Sequence, residues 1–218
     1  MTMGLPTIAS YELPGRDELP GSRLGWKVEA ARAALLIHDM QAYFLRPFDH
    51  RAAPFKPLID NIARLRSICR HAGLPVFYTA QQGGQDRRDR GLQADLWGPG
   101  MDRSAEHEAI HDAIAPGPSE IVLHKHRYSA FQRSTLEALM RARGRDQLII
   151  CGVYAHIGCM LTAAEAFQRD IQPFFVADGL ADFSRPHHMQ ALDYIASTCG
   201  MLATVEGLEG TLTQRIAA

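Results

Sequence analysis

The chain has little that could staple it from outside its core. Its four cysteines, Cys69, Cys151, Cys159 and Cys199, show no C-x-x-C spacing in 218 residues. Three of them sit inside apolar periodic stretches, a pattern of reduced, mostly buried thiols rather than of a disulfide framework. Nor is there a long hydrophobic run: no segment approaches the roughly 20 apolar residues of a membrane span. The stretch Met1–Arg16 lacks the basic-then-apolar order of a secretory signal, so the chain reads as cytoplasmic with no membrane partner. Charge of one sign is missing too. Lys and Arg number 23 against 24 Asp and Glu, a net −1, which gives no general attraction to nucleic acid or another polyanion. Internal repeats, low-complexity segments and any composition break that would mark a second domain are absent.

What is present is ordinary globular composition, 46% hydrophobic and 22% charged, at a length that buries a sizeable core as one domain. The stretch Arg32-Ala-Ala-Leu-Leu-Ile-His-Asp-Met-Gln41 organises the rest. Ala33–Ile37, apolar on both faces and too short for a helix, reads as a buried parallel strand. Asp39 falls at its C-terminal end. Ligands of open α/β sheets collect beyond the carboxyl ends of the strands, which makes Asp39 a candidate to touch substrate. From this segment alone, an Asp that caps the next helix fits equally well.

In chain order, residues 1–30, rich in Pro and Gly, read as an extended arm anchored by Trp26. Met40–Phe48 runs into a turn at Pro47. Leu58, Ile62, Leu65 and Cys69 recur at helical spacing, and Gly73 follows as a terminator. Pro75–Thr79 is a second strand and Glu120–His124 a third, with Lys125 at its end. Ser134 and Glu137 have capping-box spacing ahead of a helix carrying Leu136, Leu139 and Met140, a Glu137–Arg141 pair and a closing Gly144. Gln147–Cys151 is the fourth strand. After it the turn Gly152–Gly158 enters a helix whose buried face is expected to be Ile157, Met160, Leu161, Ala164 and Phe167. Gln172–Ala177 is a fifth strand, Ser184 and Pro186 open a helix through Ile195, and Met201–Val205 is a sixth strand. Strands alternating with helices give an α/β fold: one domain over 1–218, a three-layer sandwich with a mostly parallel, roughly six-stranded sheet and helices on both faces.

Between the second and third strands, Ala80–Arg103 is the longest irregular piece. A loop of that size in a compact domain is usually functional or disordered. It holds Gln81, Arg90 and Trp97, which suit a carboxylate clamp and an aromatic wall; Arg87 and Arg88 read as solvated. Ten histidines invite a metal reading, but His187-His188 and His124/His126 lack zinc-site spacing, so no metal is expected. His38 and His156 read as hydrogen-bonded structural histidines.

Asp39, Lys125 and the Tyr154–Cys159 turn thus line up at strand ends. Six motifs carry a resemblance: His38-Asp-Met-Gln41 with Tyr43-Phe44, Tyr78-Thr-Ala-Gln81, Trp97-Gly-Pro-Gly100, Lys125-His-Arg-Tyr-Ser-Ala-Phe131, Gly152-Val-Tyr-Ala-His-Ile-Gly158 and Asp182-Phe-Ser184. In their order and spacing they resemble the isochorismatase-like hydrolase superfamily across nearly the whole chain. Most of that superfamily are amidases with an Asp–Lys–Cys triad, and the position matching the cysteine is Gly158, with Cys159 one residue later. A one-residue shift on a helix turns a side chain by about 100°, so Cys159 is expected in the core.

The resemblance is to the branch with Gly at this position, which hydrolyses enol-pyruvyl (vinyl) ethers without a cofactor. It implies a small-molecule chorismate-derived substrate, with Asp39 as general acid toward the methylene carbon and Lys125 orienting the substrate. Gln81, Arg90, Trp97, Tyr154, Gly158 and Phe44 would surround it. The phenazine-type substrate, 2-amino-2-deoxyisochorismate, is put first because no carrier domain follows before Ala218; isochorismate is the alternative, and a cysteine amidase using Cys159 a more distant one. Family members commonly pair, which implies a homodimer. Two departures bear on the pocket wall: Gln82 stands where relatives usually have Pro, and His126 where they usually have Trp.

Overall fold

The structure is a computed structural model that describes residues 4–213. Residues 1–3 of the expected arm and 214–218 at the far end of the expected domain lie outside the described residues. Six strands form one sheet: β1 (Ala33–His38), β2 (Val76–Ala80), β3 (Ile121–His124), β4 (Gln147–Val153), β5 (Gln172–Ala181) and β6 (Met201–Ala203). Their order is β3-β2-β1-β4-β5-β6, and every neighbouring pair is parallel. The chain therefore winds outward from β1 in one direction and then, from β4, in the other. That reversal opens a crevice beyond the carboxyl ends of β1 and β4, where a doubly wound sheet binds its ligands.

Helices supply the outer layers: α1 (Ala42–Leu45), α2 (Phe55–His71), α3 (Arg87–Arg90), α4 (Gln93–Trp97), α5 (Ala105–Glu108), α6 (Leu136–Arg141), α7 (Met160–Gln168), α8 (Arg185–Thr198) and α9 (Val205–Thr213). Strand β1 shows how the layers are set. Ala33, Leu35 and Ile37 enter a core shared with α2, α9 and the arm, while Ala34 and Leu36 enter one shared with α6, α7 and α8. Two-residue alternation delivers apolar side chains to both sides, so the strand must be covered twice. Helix α2 ends as its sequence signals: Gly73 takes φ +74, and the Leu74 N–H reaches the Cys69 carbonyl. Ser184 accepts a hydrogen bond from the His187 N–H at the start of α8.

Four local expectations are corrected. The stretch after β2 is not structureless, since Asp86 caps α3 and α4 follows directly. The Ser134–Glu137 capping box does not form: Ser134 Oγ accepts from Leu136 N, and Glu137 pairs with Arg141 and Arg169 instead. The buried face of α7 is Thr162, Ala163 and Ala166, with Leu161 and Phe167 exposed. The cause is a π-type turn over Ala155–Cys159, whose Cys159 N–H reaches back to the Tyr154 carbonyl. One extra residue in a turn rotates everything after it by about 100°. Strand β6 stops at Ala203, and Val205 opens α9, which the sequence reading missed. Trp26, half-buried, packs against the core as the arm's expected anchor, and Ile8 and Val28 of the arm are buried in that core as well. All four cysteines are free and buried, and no helix among the described residues is long and apolar enough to cross a membrane.

Strand β3, which carries Lys125 at its end, sits at the sheet edge and is tied down by Glu120. That carboxylate, 3% exposed, accepts from Arg66 Nε and Nη2, Tyr78 Oη and Gly117 N. Burial would raise its pKa, but the hydrogen bonds from Arg66, Gly117 and Tyr78 and the Arg66 charge together outweigh it and hold Glu120 below the usual carboxylate range. A depressed carboxyl contributes stability that is complete above its unfolded pKa and is lost as pH falls through the folded one. Glu120→Gln is therefore expected to cost about 2–3 kcal/mol at neutral pH. In urea titrations its stability should also fall less than the parent's on acidification.

Candidate active site

The crevice at the strand reversal is lined by Asp39, Phe44, Gln81, Arg90, Trp97, Lys125, Tyr154 and Gly158, all eight of the residues singled out from the sequence. His38, Tyr43, Gln93, Tyr128, Ile157 and Phe183 complete most of the wall. It is a narrow cleft with a cavity volume of about 60 Å³.

Asp39 follows β1 immediately and leaves the strand with φ +48, in the left-handed region that Asp tolerates better than branched residues do. Thr79, from the neighbouring β2, secures it twice: Thr79 Oγ1 accepts from the Asp39 N–H at 3.1 Å and donates to Oδ1 at 2.6 Å. Oδ2 meets Lys125 Nζ at 2.8 Å and Gln81 Nε2 at 3.3 Å. Both charged partners are buried, Asp39 at 5% and Lys125 at 1% exposure. The Lys125 ammonium also donates to the carbonyls of Arg127 at 3.0 Å and Tyr128 at 3.4 Å, which occupies its three N–H bonds.

Burial by itself would push the Asp39 carboxyl up, but the Lys125 charge leads several opposing contributions, and the group is held below the usual carboxylate range. Asp39 is therefore a carboxylate at neutral pH.

Arg90 presents the opposite situation. It is 7% exposed, its Nε donates to the Gly98 carbonyl at 2.6 Å, and it has no salt bridge among the described residues. Burial pulls its pKa down from the ordinary arginine value, yet a guanidinium remains charged at any neutral pH. Gly100, at φ +80, makes room for it: a Cβ there would lie 2.4 Å from Arg90 Cζ.

The aromatic wall is interlocked. Tyr154 packs on Phe183 at 4.3 Å between ring centres and donates its hydroxyl to the Phe44 carbonyl at 2.5 Å. Trp97 Nε1 donates to Tyr128 Oη at 2.6 Å. Cys159 is fully buried in the second core and does not line the cleft; burial pushes its thiol well above the ordinary value. Arg87 and Arg88 are exposed, in line with their reading as solvated. Neither Gln82, which is exposed, nor the half-buried His126 lines the cleft, so the two departures from the family pattern fall outside its wall.

Sequence reasoning missed the roles of Thr79 and Gln41. The Gln41 amide donates to the Gln81 and Glu108 carbonyls and accepts from the Gln81 N–H, fixing Gln81 from behind. Their signal was available, since each lies within two residues of a chosen residue at a strand end. It also missed that His156, Asp182 and His187 bring ligand atoms within 4.8 Å of one another. There the Asp182 carboxylate accepts from His156 N, His156 Nδ1 and Phe183 N, so its lone pairs are engaged by the protein.

Enterobactin synthase component B of Escherichia coli (strain K12) is 48% identical over 206 residues, covering 94% of this chain and 72% of that protein. Phenazine biosynthesis protein PhzD1 of Pseudomonas aeruginosa is 48% identical over 205 residues, covering 93% of this chain and 97% of that protein. A cysteine hydrolase from Pseudomonas syringae pv. phaseolicola 1448A shares the fold, with a TM-score of 0.77 at 22% identity over 89% of this chain and 98% of that one. Residues 33–207 match the family described as Isochorismatase domain, and the chain belongs to the isochorismatase family.

Proposed function

We propose that the chain hydrolyses the enol-pyruvyl (vinyl) ether of a chorismate-derived acid, releasing pyruvate. One observation carries this reading: among the described residues lining the cleft, Asp39 is the sole carboxyl group and there is no thiol. Vinyl-ether cleavage begins with a proton delivered to the terminal methylene carbon. The resulting oxocarbenium ion is attacked by water, and the hemiketal collapses to pyruvate and a dihydro-aromatic acid. A positioned carboxylic acid is what the first step requires. Once it has given up its proton, Asp39 is an anion beside the cation it created, which lowers the energy of that intermediate.

Because the Lys125 N–H bonds are already taken by Asp39 and two carbonyls, Lys125 acts here through its charge and by holding Asp39, not as a direct donor to substrate. Arg90, buried and unpaired, is the carboxylate clamp. Gln81 bridges Asp39 and substrate, Trp97, Tyr154 and Phe44 form its apolar walls, and the Gly158 N–H faces an oxygen of the enol-pyruvyl group. The first substrate to offer is 2-amino-2-deoxyisochorismate, supported by a similarity to PhzD1 that runs over 97% of that protein. Isochorismate is the second, supported by equal identity to enterobactin synthase component B. We take the protein to act as a cytoplasmic homodimer, supported by the family resemblance and by exposed Leu92, Leu96, Leu161, Phe167 and Tyr194.

Three outcomes test the assignment. Pyruvate should be released from at least one of the two substrates, and Asp39→Asn should lower kcat by at least about a hundredfold; near-parental turnover by that variant sinks the general-acid role. The transition state carries one proton more than free substrate and the Asp39 carboxylate. The kcat/KM value should therefore fall about tenfold per pH unit across the range where that carboxylate predominates. A flat profile would instead place the proton already within the Lys125–Asp39 pair. Gly100→Ala, which displaces the Arg90 guanidinium, should raise KM by about ten- to a hundredfold with a smaller effect on kcat.

A further inference from the structure

His38, the last residue of β1, is 1% exposed and forms part of the cleft wall next to Asp39. Two glycines from the β4 side close on it. Gly152, its partner in the sheet register, sits at φ +116, and a Cβ there would lie 2.2 Å from the His38 carbonyl oxygen. Gly158 meets the ring itself: a Cβ would lie 2.3 Å from His38 Cε1, 2.9 Å from Nε2 and 3.1 Å from Nδ1.

The ring has nowhere to retreat. Nδ1 lies 2.9 Å from the Val153 carbonyl and Nε2 lies 3.2 Å from the Tyr128 carbonyl, the same oxygen that receives Lys125 Nζ. Burial pulls the imidazole pKa down to about 4, so at neutral pH the ring holds one N–H and one nitrogen donates while the other only abuts its carbonyl. The backbone is fixed by the sheet, and the ring is fixed between two separate segments.

We propose that His38 is a positioning residue that dictates glycine at position 158. Its imidazole stands where any side chain of residue 158 would project, and so keeps the part of the cleft bounded by Asp39 and the Gly158 backbone open to the substrate's reacting end. That the reacting end is an enol-pyruvyl group rests on the function proposed above; the steric relation does not. It follows that positions 38 and 158 are not independent. A side chain at 158 requires the loss of Cε1 and Nε2 at 38. Asparagine at 38 makes that change while keeping an amide nitrogen near the place of Nδ1, within reach of the Val153 carbonyl.

The test is a double-mutant cycle on the full chain, read by thermal unfolding and by kcat and KM for pyruvate release. Gly158→Ala alone should lower Tm and cut kcat/KM by about a hundredfold. His38→Asn alone should lower kcat with KM little changed, because Arg90 and Trp97 are untouched. Combined, His38→Asn should restore the Tm of Gly158→Ala and raise its kcat/KM by about tenfold or more, a coupling that residues in contact show and independent ones do not. The proposal is overturned if Gly158→Ala is equally damaging, or equally harmless, in both backgrounds. Should Gly158→Ala not fold, the double variant decides: a folded double variant supports the steric lock and an unfolded one refutes it. If the parent releases no pyruvate, the proposed function fails, and the Tm arm still judges the lock.

Discussion

The contact between Lys125 Nζ and Asp39 Oδ2, 2.8 Å long and out of reach of bulk water, is the constraint around which the rest of the site is arranged. Separating such a pair, or removing one member, leaves a charge stranded in a medium that solvates it poorly. The two residues come from strands that are not neighbours, since β2 lies between β1 and β3. The sheet must therefore hold its order and register for the pair to exist. Thr79 of β2 bridges toward Asp39 from that middle strand, and the Glu120–Arg66 contact secures β3 at the edge. The same pair holds Asp39 as an anion, which sets the chemical problem that substrate binding has to solve.

Much of this was legible in the residues because the signals were non-local in origin and robust. An apolar run with no polar face can only be a strand covered on both sides, and β1 is that. An acid at its carboxyl end and a lysine at the end of another strand share the crevice by topology alone. What was not legible depended on single hydrogen bonds. The Ser134–Glu137 spacing matches a capping box, but Arg169, 32 residues away in sequence, competes for the Glu137 carboxylate. The α7 face was misjudged because a π-type turn leaves no signature in the sequence. The apolar stripe read for α7 was not the buried one, and Leu161 and Phe167 are exposed. The glycines of the segment after β2 suggested irregular chain, whereas Gly91, Gly98 and Gly100 separate and follow two short helices that deliver Arg90 and Trp97 to the cleft.

The π-type turn also bears on the family comparison. It precedes α7 and places Gly158 against the cleft while sending Cys159 into the core. Both residues lie in the same turn, yet one is in contact with the reaction space and the other is sealed from it. Glycine at 158 and the imidazole of His38 fit one another, and among the described residues the cleft wall holds a carboxyl group but no thiol.

Arg90 carries a last consequence. Its guanidinium lost most of its hydration when the chain folded, and Gly98 returned a single carbonyl oxygen in exchange. An anion entering the cleft thus meets a cation already stripped and aimed, with little further reorganisation needed to receive it. Part of the attraction for an anionic ligand is therefore built into the fold itself.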